Sequence, residues 1–176
     1  HAGILQYVVL NDLGVISDKT LFNYCTKNGI LGVHPDYGNP GIEASTGSLG
    51  HGLAIAAGLA YKEKNKNIYV LLSDGELQEG SVWEAALLIS SLKIKNVVVI
   101  VDNNGLQSST WAKDTHPTLN PLSKKFISFG WDAKTCNGHS HLEISKNISH
   151  RSKNKPFALI ANTYKGYPIS FMKNQP

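Results

Sequence analysis

Apolar and polar positions alternate along this chain in blocks that predict a strand, a helix and a second strand. Residues 68–72 form an apolar run rich in β-forming side chains, and it stops abruptly at Ser73-Asp74-Gly75, as a strand ending in a tight turn does. Apolar side chains then recur at helical spacing, at Val82, Ala85, Ala86, Ile89 and Leu92. Residues 96–101 form a second apolar run, which is typical of a parallel strand covered on both faces. The order predicts a βαβ unit.

The same pattern places further elements along the chain. We predict a mostly buried helix within residues 1–14, helices over 18–27, 53–64, 81–93 and 122–129, and a third buried strand over 157–161. Helix-capping side chains support several starts: Ser17 as an N-cap, and Ser-x-x-Glu capping boxes at Ser81 and Ser140. The fold class is therefore α/β, with a mainly parallel sheet and helices on both faces. No linker or repeat divides the 176 residues, so we expect one domain over 1–176.

Composition and charge exclude several classes of protein. Hydrophobic residues make up 41% and the formal net charge is +4, as in an ordinary globular protein. No apolar run approaches the length of a membrane-spanning helix, and no basic-then-apolar leader is present, although the chain does not begin with Met. The lysines lack interleaved base-reading residues, so no nucleic-acid partner is expected. Cys25 and Cys136 match no metal or redox spacing, and we expect free thiols in the cytoplasm.

Polar side chains at two strand ends suggest a binding site. Asp74 follows the first strand and Asn104 the second, and in a parallel sheet both lie at the carboxyl edge, where open α/β sheets bind ligands. Carboxylate and amide oxygens suit Mg²⁺, which leaves coordination positions for phosphate oxygens and water. Gly75 allows close backbone approach to a phosphate, and the following helix start offers free N–H groups. The alternative is that these residues only form turns, which Asp, Asn and Gly favour.

The segment Asp74-Gly75, followed about thirty residues later by Asn103-Asn104, resembles the thiamine diphosphate fingerprint. Gly-Glu-Leu-Gln-Glu-Gly-Ser-Val-Trp-Glu-Ala from Gly75 narrows the resemblance to the N-terminal, pyrophosphate-binding half of transketolases, particularly the type split into two chains. The match covers essentially the whole chain. It implies that Mg²⁺ is bound by Asp74, Asn104 and the backbone carbonyl of Leu106. The family usually has Gly where this chain has Ser73.

The same resemblance implies cofactor contacts in the first part of the chain. His1 matches the histidine of a family Gly-His-Ala motif. His34 stands in a Gly-x-His-Pro loop, where the family histidine faces cofactor and substrate, and hydrogen bonding or proton transfer is implied. The family motif Ser-Thr-Gly-x-Leu-Gly-x-Gly matches residues 45–52, and its backbone at Gly47, Ser48 and Leu49 would lie along the aminopyrimidine of the cofactor. By composition alone, His34 is an ordinary loop histidine and this loop only a weak phosphate signal.

Glu79 has two interpretations. A carboxylate just before a helix complements the helix dipole. The resemblance instead implies a catalytic role, in a network of carboxylates that links two active sites across a dimer interface. His139 and His141, in a glycine-histidine turn, are expected to be structural.

The resemblance implies an enzyme that moves a two-carbon ketol unit between sugar phosphates with Mg²⁺ and thiamine diphosphate, whose ylid supplies the reactive carbon. The pyrimidine-binding domain that this chemistry requires is absent from these residues, which look truncated at both ends. We therefore expect activity only with a C-terminal, pyrimidine-binding partner, in a homodimer or heterotetramer.

Three alternatives remain open. Another thiamine diphosphate enzyme, of the deoxyxylulose phosphate synthase or 2-oxo acid dehydrogenase type, shares the fingerprint but not the 43–52 loop as it stands here. A non-catalytic scaffold half would keep the fold without turnover. A plain nucleotide-binding domain is the weakest alternative, because no dinucleotide or phosphate-loop glycine motif follows a strand.

Overall fold

The computed structural model describes residues 2–108 and 110–175. The chain divides into two compact units, of which the first ends at Leu49 and the second begins at Gly50. Within the described residues, no helix combines the length and the apolar character needed to cross a membrane.

The N-terminal unit contains two helices, α1 (Gly3–Asp12) and α2 (Asp18–Phe22). Its small core contains Tyr7, Ile16, Leu31 and Ile42, and the Tyr7 hydroxyl donates a hydrogen bond to the Gly32 carbonyl at 3.0 Å. The prediction of a mostly buried first helix is wrong for this unit, because Tyr7 is the only residue of α1 that is buried. Helix α2 is capped by Ser17 as predicted but ends at Phe22 instead of continuing to residue 27.

The C-terminal unit contains the sheet and its covering helices. Its elements, in chain order, are α3 (Gly52–Lys62), β1 (Ile68–Ser73), a 3₁₀ turn (Glu76–Gln78), α4 (Gly80–Ser91), β2 (Val97–Asn103), β3 (Leu106–Gln107), β4 (Thr110–Trp111), α5 (Ala112–Thr115), a second 3₁₀ turn (Pro117–Leu119), α6 (Leu122–Ser128), β5 (Asp132–Asn137), α7 (His141–Ser149) and β6 (Phe157–Asn162). The strands predicted over 68–72, 96–101 and 157–161 correspond to β1, β2 and β6. Strand β5 was not predicted, because only Cys136 of its six residues is buried.

The four longer strands form one parallel sheet in the order β1-β2-β6-β5. Ser73 pairs with Asp102 in β2, and Asn103 pairs with Asn162 in β6. Strands β1, β2 and β6 therefore end level with one another. The residues that follow them share the carboxyl edge of the sheet, as the βαβ prediction requires.

Alternate residues of the central strands face opposite layers of helices. Val99, Val101 and Ile160 pack with α3, α4 and α6 on one face. Val98 and Leu159 pack with the side chains of α7 on the other. The predicted α/β class, with a parallel sheet and helices on both faces, is confirmed.

The two predicted capping boxes have different outcomes. Ser140 caps α7 by accepting a hydrogen bond from the Glu143 N–H at 3.3 Å. The prediction for Ser81 is wrong: α4 begins one residue earlier, at Gly80, and its N-cap position is Glu79. The Ser81 hydroxyl instead donates to the Gly50 carbonyl at 3.0 Å, so it is not available to cap the helix.

Candidate functional site

Asp74 is a buried carboxylate directly after β1, with 3% of its surface exposed. Its Oδ1 accepts a hydrogen bond from the Gly75 N–H at 3.0 Å, and its Oδ2 accepts one from the Gly105 N–H at 2.8 Å. The second bond joins the turn after β1 to the turn after β2. Among the described residues, no lysine or arginine pairs with Asp74.

Burial raises the pKa of the Asp74 carboxyl above its ordinary value, because a low-dielectric surrounding disfavours the charged form. The N–H groups of Gly105 and Gly75 act in the opposite direction by stabilising the carboxylate, and the nearby charge of Asp102 raises the pKa further. A cation beside this carboxyl would favour its charged form and so act against the effect of burial.

Asn104 and Leu106 lie beside Asp74 on the turn after β2. The Asn104 Oδ1 accepts a hydrogen bond from the Leu106 N–H at 2.8 Å. A Cβ placed on Gly75 would lie 3.9 Å from the Leu106 carbonyl oxygen, so this carbonyl is next to the Asp74-Gly75 turn. The three residues singled out from the sequence therefore lie on two adjoining segments, which the bond from the Gly105 N–H to Asp74 joins.

This donor set fits a hard divalent cation. It offers one buried carboxylate, one side-chain amide oxygen and one backbone carbonyl, and each oxygen that accepts a single hydrogen bond keeps a second lone pair. Within the described ranges, no three His, Cys, Asp or Glu side chains are grouped to hold a metal. The donor set described here contains only one such side chain, Asp74, so it is not a group of that kind.

Two residues of this edge were missed by the sequence reasoning. The Asp102 Oδ2 accepts a hydrogen bond from the Asn104 Nδ2 at 3.2 Å, and its other oxygen accepts one from the Thr163 hydroxyl. Asp102 lies two positions before Asn104, which in a strand predicts the same side, but the role of Thr163 depends on the pairing of β6 with β2. That pairing is not visible in the local sequence.

Gly75 and Glu79 lie in the turn that leads into α4. A Cβ on Gly75 would approach the Gln107 Cβ to 2.9 Å, so the lack of a side chain here allows the two turns to pack together. Glu79 is exposed, and it makes no side-chain hydrogen bond to the helix start. The neighbouring Glu76 instead uses its Oε1 to accept from the Gly50 N–H at 3.0 Å.

In the N-terminal unit, His34 and Gly47 are in contact. Gly47 has φ of +105°, and a Cβ there would lie 2.6 Å from the Cγ of the His34 ring. Hydrogen bonds hold these loops together: the Thr46 N–H donates to the Pro35 carbonyl at 2.9 Å, the Thr46 hydroxyl donates to the same carbonyl at 3.5 Å, and the Tyr37 N–H donates to the Ser45 Oγ at 2.9 Å. Ser48 and Leu49 are exposed. The loops therefore present an exposed imidazole beside a backbone segment that has no side chain at Gly47.

Of the other histidines with a predicted role, the structure describes His139 but not His1. His1 lies outside the described residues. The Nε2 of His139 accepts a hydrogen bond from the Tyr164 N–H at 2.9 Å, and the ring contacts Tyr167, as expected of a structural residue. A cleft of about 410 Å³ lies elsewhere, and none of the predicted site residues lines it; its walls are Trp83, His116, Thr118, Leu119, Lys125, Ser128 and Phe129.

Comparison with known proteins agrees with this architecture. The family model described as "Transketolase, thiamine diphosphate binding domain" matches residues 1–175. The chain is 40% identical to one subunit of the apulose-4-phosphate transketolase of Actinobacillus succinogenes, over 100% of this chain and 66% of that protein. It is 37% identical to human transketolase, over 99% of this chain and 29% of that protein. The crystal structure of transketolase from Campylobacter jejuni superposes with a TM-score of 0.91 at 29% identity, covering 99% of this chain and 29% of that one.

The chain belongs to the family of transketolase N-terminal, thiamine diphosphate-binding domains. The resemblance inferred from the fingerprint and the loop over residues 43–52 is therefore confirmed, and so is the thiamine diphosphate-binding fold. The chain spans just under two thirds of the relatives that are named as transketolase subunits, 66% and 63%, and less than a third of the longer transketolases, such as 29% of the human one.

Proposed function

We propose that this chain is the N-terminal subunit, or part of it, of a transketolase that transfers a two-carbon ketol unit between sugar phosphates with Mg²⁺ and thiamine diphosphate. The observation that carries the proposal is the buried, unpaired carboxylate of Asp74 beside the Asn104 and Leu106 oxygens, in a chain of this family. Residues 1–176 would form one cofactor-binding domain, with the pyrimidine-binding domain on another chain.

In the C-terminal unit, Asp74 Oδ, Asn104 Oδ1 and the Leu106 carbonyl would hold Mg²⁺, and the cation would hold the diphosphate. The cofactor, when bound, supplies the carbanion chemistry that the protein lacks. The part of this chain is to fix the charged end: two backbone N–H groups orient the Asp74 carboxylate, and Gly75 lets the two turns come close. Glu79, exposed at the start of α4, would face the carboxylates of a partner.

In the N-terminal unit, the backbone of Gly47, Ser48 and Leu49 would contact the aminopyrimidine, and His1 would contact the cofactor. The exposed His34 imidazole would hydrogen-bond a substrate hydroxyl or hold a proton near the reactive carbon. Its position is supported by its contact with Gly47, because a ring held against backbone loses little freedom on binding.

A partner chain is supported by an uncovered apolar surface on α1. Leu5, Val9 and Leu13 are 63%, 56% and 69% exposed. Their four-residue spacing places Leu5 and Val9 on one stripe of α1, which Leu13 continues at the C-cap of the helix. We refer to these three residues as the α1 stripe. Two of the relatives are named as one subunit of an apulose-4-phosphate transketolase. We propose that a C-terminal, pyrimidine-binding chain completes the enzyme as a dimer or heterotetramer, in the cytoplasm, where Cys25 and Cys136 stay as the free thiols that the structure has.

The test is a calorimetric titration of thiamine diphosphate, with and without Mg²⁺, into the chain assembled with its candidate partner. We expect binding that requires Mg²⁺ and is abolished by Asp74→Ala, because the variant removes the one carboxylate of the donor set. Asp114→Ala, at an exposed position, is the matched control and should bind like the wild type. An assembled, folded complex that binds no cofactor would favour a scaffold.

A further inference from the structure

The two ends of an asparagine side chain differ chemically, and a metal ligand must present its oxygen. An amide turned by 180° would offer an NH₂ group to the cation, which cannot be coordinated. For Asn104 this choice is set by the groups beside it. The Leu106 N–H donates to its Oδ1 at 2.8 Å, and the Asp102 Oδ2 accepts from its Nδ2 at 3.2 Å.

Asp102 is the more decisive of these two neighbours. An ionised carboxylate can only accept hydrogen bonds, so the side of the amide that faces Asp102 has to be the NH₂ group. The other oxygen of Asp102 accepts from the hydroxyl of Thr163. Thr163 directly follows β6 and is tied to β2 a second time, since its N–H donates to the Asn103 carbonyl at 3.2 Å. The carboxylate is thus held at both oxygens.

We propose that Asp102 and Thr163 are positioning residues for the metal site: the Thr163 hydroxyl fixes the Asp102 carboxylate, which in turn holds the Asn104 amide with its oxygen toward the cation. The inference rests on the proposed function, because it requires that Asn104 binds the metal. It adds Thr163, which follows β6, to a site formed by the residues that follow β1 and β2.

Divalent-cation affinity tests this relay in the assembled protein with thiamine diphosphate present. Titrations with Mg²⁺ by calorimetry, and with Mn²⁺ by electron paramagnetic resonance, measure binding independently of turnover. We expect Asp102→Ala to weaken the cation affinity about 10–100-fold, as loss of a hydrogen-bond partner of a metal ligand does. Thr163→Val, which removes the hydroxyl that holds Asp102, should weaken the affinity in the same direction. Thr163→Ser keeps the hydroxyl and should restore the affinity.

Asn162→Ala is the matched control. It removes a hydrogen bond of the same sheet edge, from the Asn103 Nδ2 to the Asn162 Oδ1 at 2.8 Å, but leaves the relay intact, so the cation affinity should stay at the wild-type value. Thermal melting of each variant separates a loss of affinity from a loss of folding. If Asp102→Ala fails to fold, the comparison of Thr163→Val with Thr163→Ser decides.

Wild-type affinity in Thr163→Val and Asp102→Ala would overturn the relay while leaving the proposed function intact. Equal weakening by Asn162→Ala would also overturn it, because the effect would then belong to the whole edge. A wild-type protein that binds no divalent cation would overturn the proposed function, and the relay with it.

Discussion

Asp74 shows how a single residue links stability to ligand binding. Its pKa is raised by burial, so the contribution of this carboxyl to stability is greatest below its unfolded pKa and is lost as the pH rises through its folded pKa. An ionised Asp74 would therefore be better solvated in the unfolded chain than in the folded one. In the proposed site, a bound cation would offset this cost.

The two cysteines should react very differently. Cys25 is exposed, whereas Cys136 lies in β5 with 6% of its surface exposed. We expect a thiol reagent such as Ellman's reagent to modify one thiol of the native chain rapidly and the second only as the protein unfolds. Cys25→Ser should remove the rapid phase. Rapid modification of both thiols in the native protein would contradict the burial of Cys136.

The same thiol predicts a pH dependence. Burial, followed by the charge of Glu143, raises the pKa of Cys136. Because its folded pKa is above the unfolded value, its contribution to stability is complete below the unfolded pKa and is lost as the pH rises through the folded one. The free energy of unfolding should fall above about pH 8.5, the ordinary thiol pKa. In denaturant titrations at a series of pH values, the free energy of unfolding of Cys136→Ala should fall less steeply than that of the wild type.

At the level of elements, the end of α3 depends on a side chain from a distant part of the chain. The Asn96 Nδ2 lies within hydrogen-bonding distance of three carbonyl oxygens, those of Ala60 at 3.3 Å, Glu63 at 3.0 Å and Lys66 at 2.7 Å. It supplies donors to carbonyls that a helix end leaves unsatisfied. Asn96 therefore ties the start of β2 to the connection between α3 and β1.

Two substitutions of Asn96 should distinguish the loss of a hydrogen bond from the addition of an electrostatic repulsion. Asn96→Ala is expected to lower the free energy of unfolding by about 0.5–1.5 kcal/mol, since partly exposed carbonyl oxygens at the end of α3 lose their donor. Asn96→Asp should lower it further at neutral pH, because a carboxylate cannot donate and repels the carbonyl oxygens. Urea denaturation measures both, with the exposed Asn65→Asp as control, expected within about 0.5 kcal/mol of wild type. Equal stabilities for Asn96→Asp and wild type would refute this role.

The elements also show what could be predicted from sequence. Strands β2 and β6 have apolar runs because both of their faces are covered, whereas β1 has one although Tyr69 and Leu71 on one of its faces are exposed. Asp74 and Asn104 follow β1 and β2, so their place at the carboxyl edge of the sheet could be predicted. Strand β5 has no such run, because it lies at the sheet edge and buries one side chain. Ser81 and Ser140 begin the same Ser-x-x-Glu pattern, but only Ser140 caps a helix. The Ser81 hydroxyl binds the Gly50 carbonyl, a contact between residues distant in sequence.

At the level of the whole molecule, the α1 stripe predicts that assembly can be disrupted without unfolding the chain. Val9→Glu places a charge on an exposed apolar position of α1, so the isolated chain should keep its melting temperature within a few degrees. Association with the pyrimidine-binding partner should weaken by at least tenfold, because the charge would be buried unpaired in the interface. Sedimentation of the mixed chains measures this. Val9→Ile should assemble normally, and normal assembly of Val9→Glu would exclude the stripe from the interface.

The strand order has a consequence for how the protein is made. Strand β6 lies between β2 and β5, yet it is the last of the four to leave the ribosome. A nascent chain can pair β1 with β2, but β5 has no neighbour and β2 keeps a bare apolar edge until residues 157–162 emerge. Such edges are prone to pair with other chains. Synthesis that stalls shortly before residue 157 would therefore leave the sheet without the strand that joins β2 to β5.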